Sequence, residues 1–443
     1  MPIETEILKK CRPTAAQDRN VHDAASKLTE MVLNEARRRH AHIEVMLVGS
    51  VAKGTHLKDP DIDLFMLFPE STPLELLKEK GLEIARNVIT GREHYAQHPY
   101  VRGHFMGFQV DLVPAFKIRD TRMKMSAVDR TPFHTKFIND NLSPGQTDQV
   151  RLLKRFMKGI DCYGAEAKVQ GFSGYMCELL VIRFGSFREV LESAAGWTSG
   201  QHIELPEFPG ESFREPITFI DPVDSARNVA SAVSTESLVR FVRASREYLG
   251  HPCAGFFFPA ERKTWSPDQL KKVAGKRLDE LVAISMPKLD LIDDVLYPQL
   301  RKSLVAAESL LKRNDFEVEK TSIFVGDRVD LLIELSSSRL DERRVHKGPP
   351  DYSENASEFL EKWRSNGLSE PYVEDGRWFV HVKREFTRAD ALLRDKMRDL
   401  KLGKDVKKLD DISVVSGKTL ASKEYMSALT QHFDDRMPWE RDE

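Results

Sequence analysis

The first regular pattern along the chain is a helical stripe in which Val21, Ala24, Leu28, Met31, Val32 and Ala36 recur at three- and four-residue spacing, predicting a helix over 18–40. An apolar run over 43–48 then reads as a strand closed by Gly49 and Ser50. A second, buried strand follows over 61–68, then a helix over 73–89. The β-branched and aromatic run YVRGHFMGFQVDLVPAF, 100–116, reads as a hairpin. Together these make a mixed α/β unit ending near residue 140.

Beyond it the period changes to a helical one over 145–195, with Leu152, Leu153, Phe156, Met157 and Ile160 on one side and Arg151, Lys154, Arg155 and Lys158 on the other. A basic stripe of that kind is ordinarily a solvated face. The segments GWTSG, ELPEFPGES and IDPVD punctuate the chain before a helix over 235–249, and FPAERKTWSPDQ reads as a linker. From about 268 the order is helix, strand (LVAISM), long helix (294–313), two strands (FEVEKTSIFVG and VDLLIELSS), helix (354–364) and strand (RWFVHVK). Residues from 387 onward read as a helical, lysine-rich tail. The fold class expected is therefore α+β, with four segments: 1–140 a mixed sheet with helices, 141–265 helical, 266–386 an α/β body, and 387–443 a helical tail.

Composition adds bounds rather than detail. With 443 residues and 41% hydrophobic content the chain can bury several cores, while 67 Lys plus Arg against 69 Asp plus Glu leave no global bias toward a charged partner. Cys11, Cys162, Cys177 and Cys253 are dispersed and form no C-x-x-C pair, which argues against a structural zinc site or a disulfide framework and predicts a reducing, cytoplasmic setting. No apolar run is long enough to span a membrane, and MPIETEILKKCRP lacks the apolar core of a secretion signal.

The chemistry concentrates in VGSVAKGTHLKDPDIDLFMLFP, 48–69. Asp61 and Asp63 precede a buried strand at i and i+2, so both carboxylates emerge on one face. Anions that close repel each other unless a cation lies between them. Gly49 and Ser50 form a strand-to-turn junction suited to phosphate oxygens, and Asp111 places another acid inside an apolar strand, where it needs a partner. Carboxylates on neighbouring strands beside such a turn point to a two-metal site for nucleotidyl transfer. Separate surface acids are the bland alternative.

The blocks GSVAKGT and DIDLFMLFP followed by Asp111 resemble the nucleotidyltransferase palm of the poly(A) polymerase superfamily. SAVDRTPFHTKF, RLLKRFMK, CYGAE, GFSGYMCELL, DPVDSARNVA, LYPQL and GRWFV resemble the archaeal-type (class I) CCA-adding enzymes, tRNA nucleotidyltransferases, from about residue 20 to about 430. The resemblance implies that 1–140 is a catalytic palm, 141–265 a neck completing the nucleotide pocket, and 266–386 a tRNA-binding body. It implies Asp61, Asp63 and Asp111 as carboxylates holding two Mg²⁺, with Asp111 also the base near the primer hydroxyl. Asp61 stands where relatives often have Glu. For nucleotide binding it implies Gly49, Ser50, Lys53, Thr131, His134, Lys154, Tyr163 and Arg227. Lys53 replaces an arginine common in the family, keeping the charge and losing the bidentate fork. Arg227, expected near the start of a short helix, would read the incoming base.

CTP and ATP are the substrates this implies, with the acceptor and TΨC arms of tRNA as partner, no membrane, and the homodimer common among relatives. Basic residues at Arg343, Arg344 and Lys347 and over 388–408 are candidate phosphate contacts; the interspersed aspartates equally suit a soluble helix laced with ion pairs. Two other functions compete: a poly(A)- or oligoadenylate-forming palm polymerase, and an RNA-binding protein on an inactive palm.

Overall fold

Two helices open the chain, Ile3–Cys11 (α1) and Ala15–Arg38 (α2). The second starts at a capping box in which Thr14 Oγ1 accepts from the Gln17 N–H (3.2 Å) and Gln17 Oε1 from the Thr14 N–H (2.9 Å). The computed structural model describes residues 3–95, 99–123 and 125–441. Its contacts divide the chain into Met1–Glu261 with Arg436–Glu443 as one unit and Arg262–Asp435 as another.

In the first unit, Glu44–Val48 (β1) leads through the single turn Gly49–Ala52 (α3) to Ile62–Pro69 (β2), then Leu74–Val88 (α4), Gly91–Tyr95 (β3), Pro99–Phe105 (β4) and Phe108–Lys117 (β5). The strand order is β1-β2-β5-β4-β3, with β2 and β5 parallel and the remaining pairs antiparallel. Met106 and Gly107, both at positive φ (50° and 87°), turn the predicted hairpin between β4 and β5. Because β2 is buried on both faces, its sequence is continuously apolar. Leu64, Met66 and Phe68 pack with Leu112 and Phe116 against Leu28, Val32, Leu77 and Ile84 of the helices, while Phe65 and Leu67 pack with Val48, Val113 and Ala115 on the other face. Each such side chain contributes about 1.5–3 kcal/mol. The edge strand β3, GREHY, is polar and carried no apolar period by which to predict it.

The rest of this unit is Thr131–Asn141 (α5), Gln146–Gly159 (α6), Gly174–Phe184 (α7), Phe187–Ala194 (α8), a sheet of Gln201–Ile203 (β6), Ile217–Asp221 (β7) and Asp224–Asn228 (β8), and Thr235–Gly250 (α9). Phe156 of α6 is fully buried, with ring centroids of Phe187, Tyr248, Phe256 and Phe257 at 5.5–5.8 Å. The basic side of α6 differs from expectation. Arg151 and Lys154 are buried, and Arg151 donates to the Gly54 carbonyl (2.6 Å) and the His56 carbonyl (3.0 Å) of the loop after α3. Arg227 also differs, lying in strand β8 rather than in a helix. Residues 436–441 return here: Trp439 stacks on Phe256 (5.2 Å) and its Nε1 donates to Glu247 Oε2 (2.6 Å).

The second unit contains Pro267–Ala274 (α10), Leu281–Pro287 (β9), Asp293–Arg313 (α11), Val318–Val325 (β10), Arg328–Leu335 (β11), Arg343–Pro350 (β12), Ala356–Asn366 (α12), Tyr372–Glu374 (β13), Arg377–Lys383 (β14), Ala389–Lys396 (α13), Ser413–Ser416 (β15) and Met426–Phe433 (α14). One antiparallel sheet has the order β10-β11-β9-β15, and a smaller one has the order β12-β14-β13. The tail carries the expected helices, α13 and α14, and a strand besides. Its strand β15 pairs with β9, Leu392, Leu393, Met397 and Val406 fill one core, and Leu429 and Phe433 fill another. These apolar positions are spaced too irregularly to announce a strand and two cores.

A chain stopped after residue 386 should therefore fail to fold this unit. Calorimetry should show its unfolding transition lost, and limited proteolysis should cleave within 262–386; an intact transition would mark the tail as an appendage. The exposed edge of β9 and the stripped cores are the physical cause.

Candidate active site

Strand register builds the acidic end. Asp63 of β2 lies opposite Asp111 of β5 and opposite Val48 of β1. Asp61 precedes β2 by one residue on the same parity. The carboxylates thus continue the line of Phe65, Leu67, Val113 and Ala115, so one face of the sheet passes from apolar packing to acid at the ends of its strands. Gly49, at φ +73°, begins α3 where an added Cβ would stand 2.1 Å from Asp63 Oδ2. Only glycine gives both the backbone turn and the room. Ser50 follows it, and its carbonyl accepts from the Thr55 N–H (3.0 Å).

Charge at this end is unevenly compensated. Arg102 of β4, directly opposite Asp111, donates from Nε to Oδ1 (2.7 Å) and from Nη2 to Oδ2 (2.6 Å). This bidentate fork raises the Arg102 pKa. Among the described residues Asp63 has no such partner, and burial first, then the charges of Asp111 and Asp61, push its carboxyl up to about 7. Asp61 is raised by the same causes, burial and Asp111. Among the described residues no three ligand side chains are already gathered around one point. Sequence reasoning missed Arg102, whose signal was an isolated cation at i−9 from Asp111 across a predicted hairpin.

A second cluster forms around Glu178 of α7, which is fully buried. Lys53 Nζ donates to Oε2 (2.5 Å), Lys154 Nζ donates to Oε1 (2.9 Å), and Thr55 Oγ1 also donates to Oε1 (2.5 Å). Burial alone would raise Glu178, but Lys154 and Lys53 outweigh it and hold the carboxyl down to about 2. Tyr163 lies close by, since a Cβ on Gly174 would meet its hydroxyl at 2.9 Å and Lys154 at 3.6 Å. Burial raises the Tyr163 pKa, which keeps the hydroxyl protonated.

The third cluster centres on Asp221, also fully buried. Arg227 Nη1 donates to its Oδ2 (2.7 Å), where His134 Nε2 also lies at 3.0 Å. Tyr175 stacks on His134 (4.0 Å) and donates from its hydroxyl to Asp221 Oδ1 (3.2 Å). Lys53 Nζ lies over the Tyr175 ring at 5.6 Å, so the second and third clusters touch. Thr131 opens α5, one turn before His134. Of the expected residues, Lys53 with Lys154 and His134 with Arg227 are thus joined in pairs through carboxylates that sequence reasoning did not single out. Glu178 sat unremarked inside GFSGYMCELL, and Asp221 inside the punctuation IDPVD.

A mixed sheet with acids at the ends of parallel strands, a glycine-started turn and buried cations behind it defines a nucleotidyltransferase, and residues 30–134 match the nucleotidyltransferase domain family. Residues 148–258 match the second domain of tRNA nucleotidyltransferases, and 277–417 match the C-terminal domain of CCA-adding enzymes. The CCA-adding enzyme of Thermoplasma volcanium is 38% identical over 405 residues, covering 91% of this chain and 90% of that protein. That of Methanosarcina acetivorans is 37% identical, covering 91% of each, and that of Methanoregula boonei 35% identical, covering 99% of this chain and 96% of its own. The chain belongs to the CCA-adding enzyme family. Among solved structures, a cytoplasmic RNA terminal U-transferase superposes with TM-score 0.42 at 15% identity, over 57% of this chain and 94% of that one. No helix among the described residues is long and apolar enough to cross a membrane.

Asp63 supplies a pH test. Its pKa is raised on folding, so its contribution to stability is full below the ordinary carboxylate pKa near 4 and is lost as pH rises through about 7. In chelator-treated protein, Asp63→Asn should be more stable than wild type at pH 8, by on the order of 2 kcal/mol or a Tm gain of roughly 4 °C. The gain should vanish toward pH 4. Equal melting temperatures at pH 8 would show that the carboxylate is not strained.

Proposed function

We propose that this chain adds the 3′-terminal CCA of tRNA without a nucleic-acid template, transferring nucleotides from CTP and ATP with release of pyrophosphate. The observation that carries the reading is the register of Asp63 against Asp111 beside Gly49, with buried cations a short step behind. Asp61, Asp63 and Asp111 would hold the divalent ions, which we take to be two Mg²⁺. The crowding of Asp61 and Asp63 beside Asp111, which with burial pushes the Asp63 carboxyl up, is the strain that a cation there would relieve. When bound, such ions lower the pKa of the attacking hydroxyl and stabilise the departing pyrophosphate.

The protein's own groups do the rest. Gly49 and Ser50 present the start of α3 to phosphate oxygens. Lys53 and Lys154 share one carboxylate between two ammonium groups, leaving positive charge that a triphosphate can neutralise. Tyr163 adds a hydroxyl beside Lys154, His134 shares Asp221 with Arg227, and Thr131 lies one turn before His134 on α5. Asp111 is the base for the primer hydroxyl, once its carboxylate is released from Arg102.

Base choice follows from a shared edge. Cytosine presents the N4 amino donor beside the N3 acceptor, adenine presents N6 beside N1, and uracil and guanine reverse the order. A donor from Arg227 suits the first two and leaves buried groups unpaired against the others.

In functional terms we divide the chain into palm (1–140), neck (141–265), body (266–386) and tail (387–443), the last sharing its cores with the body. For tRNA the two basic clusters differ. Arg388 and Arg394 are both paired with Asp390, and Lys408 with Asp405. On β12, by contrast, Arg343 and Lys347 share parity with their cross-strand partners Lys383 and Phe379, and Phe379 and His381 both stack with Tyr372. Basic side chains interleaved with rings suit an RNA backbone and its bases. Arg344 has the opposite parity.

Incubation of tRNA ending at its discriminator base with CTP, ATP and Mg²⁺ tests the reading directly; poly(A) tails would favour the polymerase alternative. Asp63→Ala and Asp111→Ala should each lower turnover more than tenfold, a loss above ~1.4 kcal/mol, with tRNA affinity nearly unchanged. Retention of a tenth of wild-type turnover by either would refute the metal assignment.

Across a salt series, Arg343→Ala with Lys347→Ala should reduce the log–log slope of tRNA affinity by roughly 0.7–0.9 per lost contact. Lys407→Ala with Lys408→Ala should change it less. The reverse ranking would move the RNA grip to the tail.

A further inference from the structure

Arg227 emerges from β8 with its side chain 30% exposed, and exposed arginines ordinarily sample several rotamers. Mobility of that kind matters for reading a base. A guanidinium fixed beside N3 of cytosine or N1 of adenine meets an acceptor, but the same position in uracil or guanine holds an N–H. If the guanidinium moves by an atom's width it finds O4 or O6 instead, and the wrong base is satisfied. Discrimination therefore depends on holding the donor still as much as on having one.

The hairpin between β7 and β8 supplies the hold. Its register shifts between Ile220 and Asp221, and such irregularities re-aim side chains. Asp221 is thereby set at the end of β7, fully buried, and bonded to Arg227, His134 and Tyr175; its Oδ1 also accepts from the Val223 N–H (3.1 Å). Both oxygens are thus taken by protein groups, so Asp221 is not itself placed to pair with a base. Among the described residues no other partner for the Arg227 guanidinium is recorded, and its remaining N–H groups are the ones left to face a ligand.

We infer that Asp221 is the specificity-positioning residue of this enzyme: it does not touch the nucleotide, and it sets the single orientation in which Arg227 accepts cytosine and adenine and refuses uracil and guanine. The inference rests on the assignment of Arg227 as base reader. Because Tyr175 and His134 share the same carboxylate, the orientation is locked to the stacked pair and, through the Tyr175 ring, lies next to Lys53 of the triphosphate cluster.

The test compares kcat/KM for CTP, UTP, ATP and GTP in wild type, Asp221→Asn, Arg227→Ala and the double variant, each with intact tRNA substrate. Asp221→Asn keeps the size and removes the charge, and should lower the CTP/UTP and ATP/GTP preferences by roughly tenfold or more. The double variant should be no less selective than Arg227→Ala alone, since one residue acts through the other. Should circular dichroism show Asp221→Asn unfolded, Asp221→Glu, which keeps the charge and displaces it by a methylene, carries the same comparison. Equal loss for all four nucleotides with ratios intact would make Asp221 a structural anchor and overturn the inference. So would losses in selectivity that multiply in the double variant. If Arg227→Ala itself retains the preference, the base-reading assignment fails first; if only Asp221→Asn retains it, that assignment stands and the positioning role falls.

Discussion

The site hangs on the register in which Ile62–Pro69 lies between its two neighbours. With Asp63 opposite Asp111 and Val48, every odd-numbered residue of the strand faces one side, acidic at its beginning and apolar after that. A slip of one residue would drive the carboxylates into the packing of the helices and turn Leu64, Met66 and Phe68 outward. The two apolar cores flanking the sheet thus stabilise the fold and also fix the spacing of the acids. Gly49 completes the arrangement from the turn that follows the adjoining strand, where any side chain would collide with Asp63.

Behind the acids the protein solves a different electrostatic problem. Lysines and arginines that must meet an anionic ligand are costly to bury alone, and Glu178 and Asp221 make their burial tolerable. Each carboxylate is inaccessible to water and has at least two cationic or donor partners. Removing one member of such a group strands the others, typically at a cost of about 3–5 kcal/mol. The carboxylates bind helix α7 to the loop after α3 and the β7–β8 hairpin to helix α5, so the side chains proposed to meet the nucleotide, though distant in sequence, share a common scaffold.

What was legible in the sequence follows the same physics. The stripe of α2, the doubly buried β2 and the β4–β5 hairpin announce themselves because their periods are set by burial on known faces. Asp61, Asp63 and Asp111 stand out because an acid in an apolar strand violates that pattern. Glu178 does not stand out, since on a helix its spacing matches any surface glutamate; only the tertiary arrival of Lys53 and Lys154 gives it meaning. The burial of Lys154 is hidden for the converse reason. A basic stripe is ordinarily solvated, and nothing local reveals that a loop carrying Gly54, Thr55 and His56 covers it. Strand β15 and edge strand β3 were hidden because their pairing, rather than their composition, makes them strands.

The return of residues 436–441 to the first unit bears on how the protein is made. Phe256, at the heart of the ring cluster around Phe156, is capped by Trp439, which is translated only after the whole second unit. At a ribosomal rate of about 5–20 residues per second, the interval between the two is on the order of ten seconds or more. During that time the catalytic unit carries an uncovered aromatic surface beside Glu247 and Arg243. Its last turn therefore serves as a seal, and a nascent enzyme reaches its finished packing only when nearly all of the sequence described here has left the ribosome.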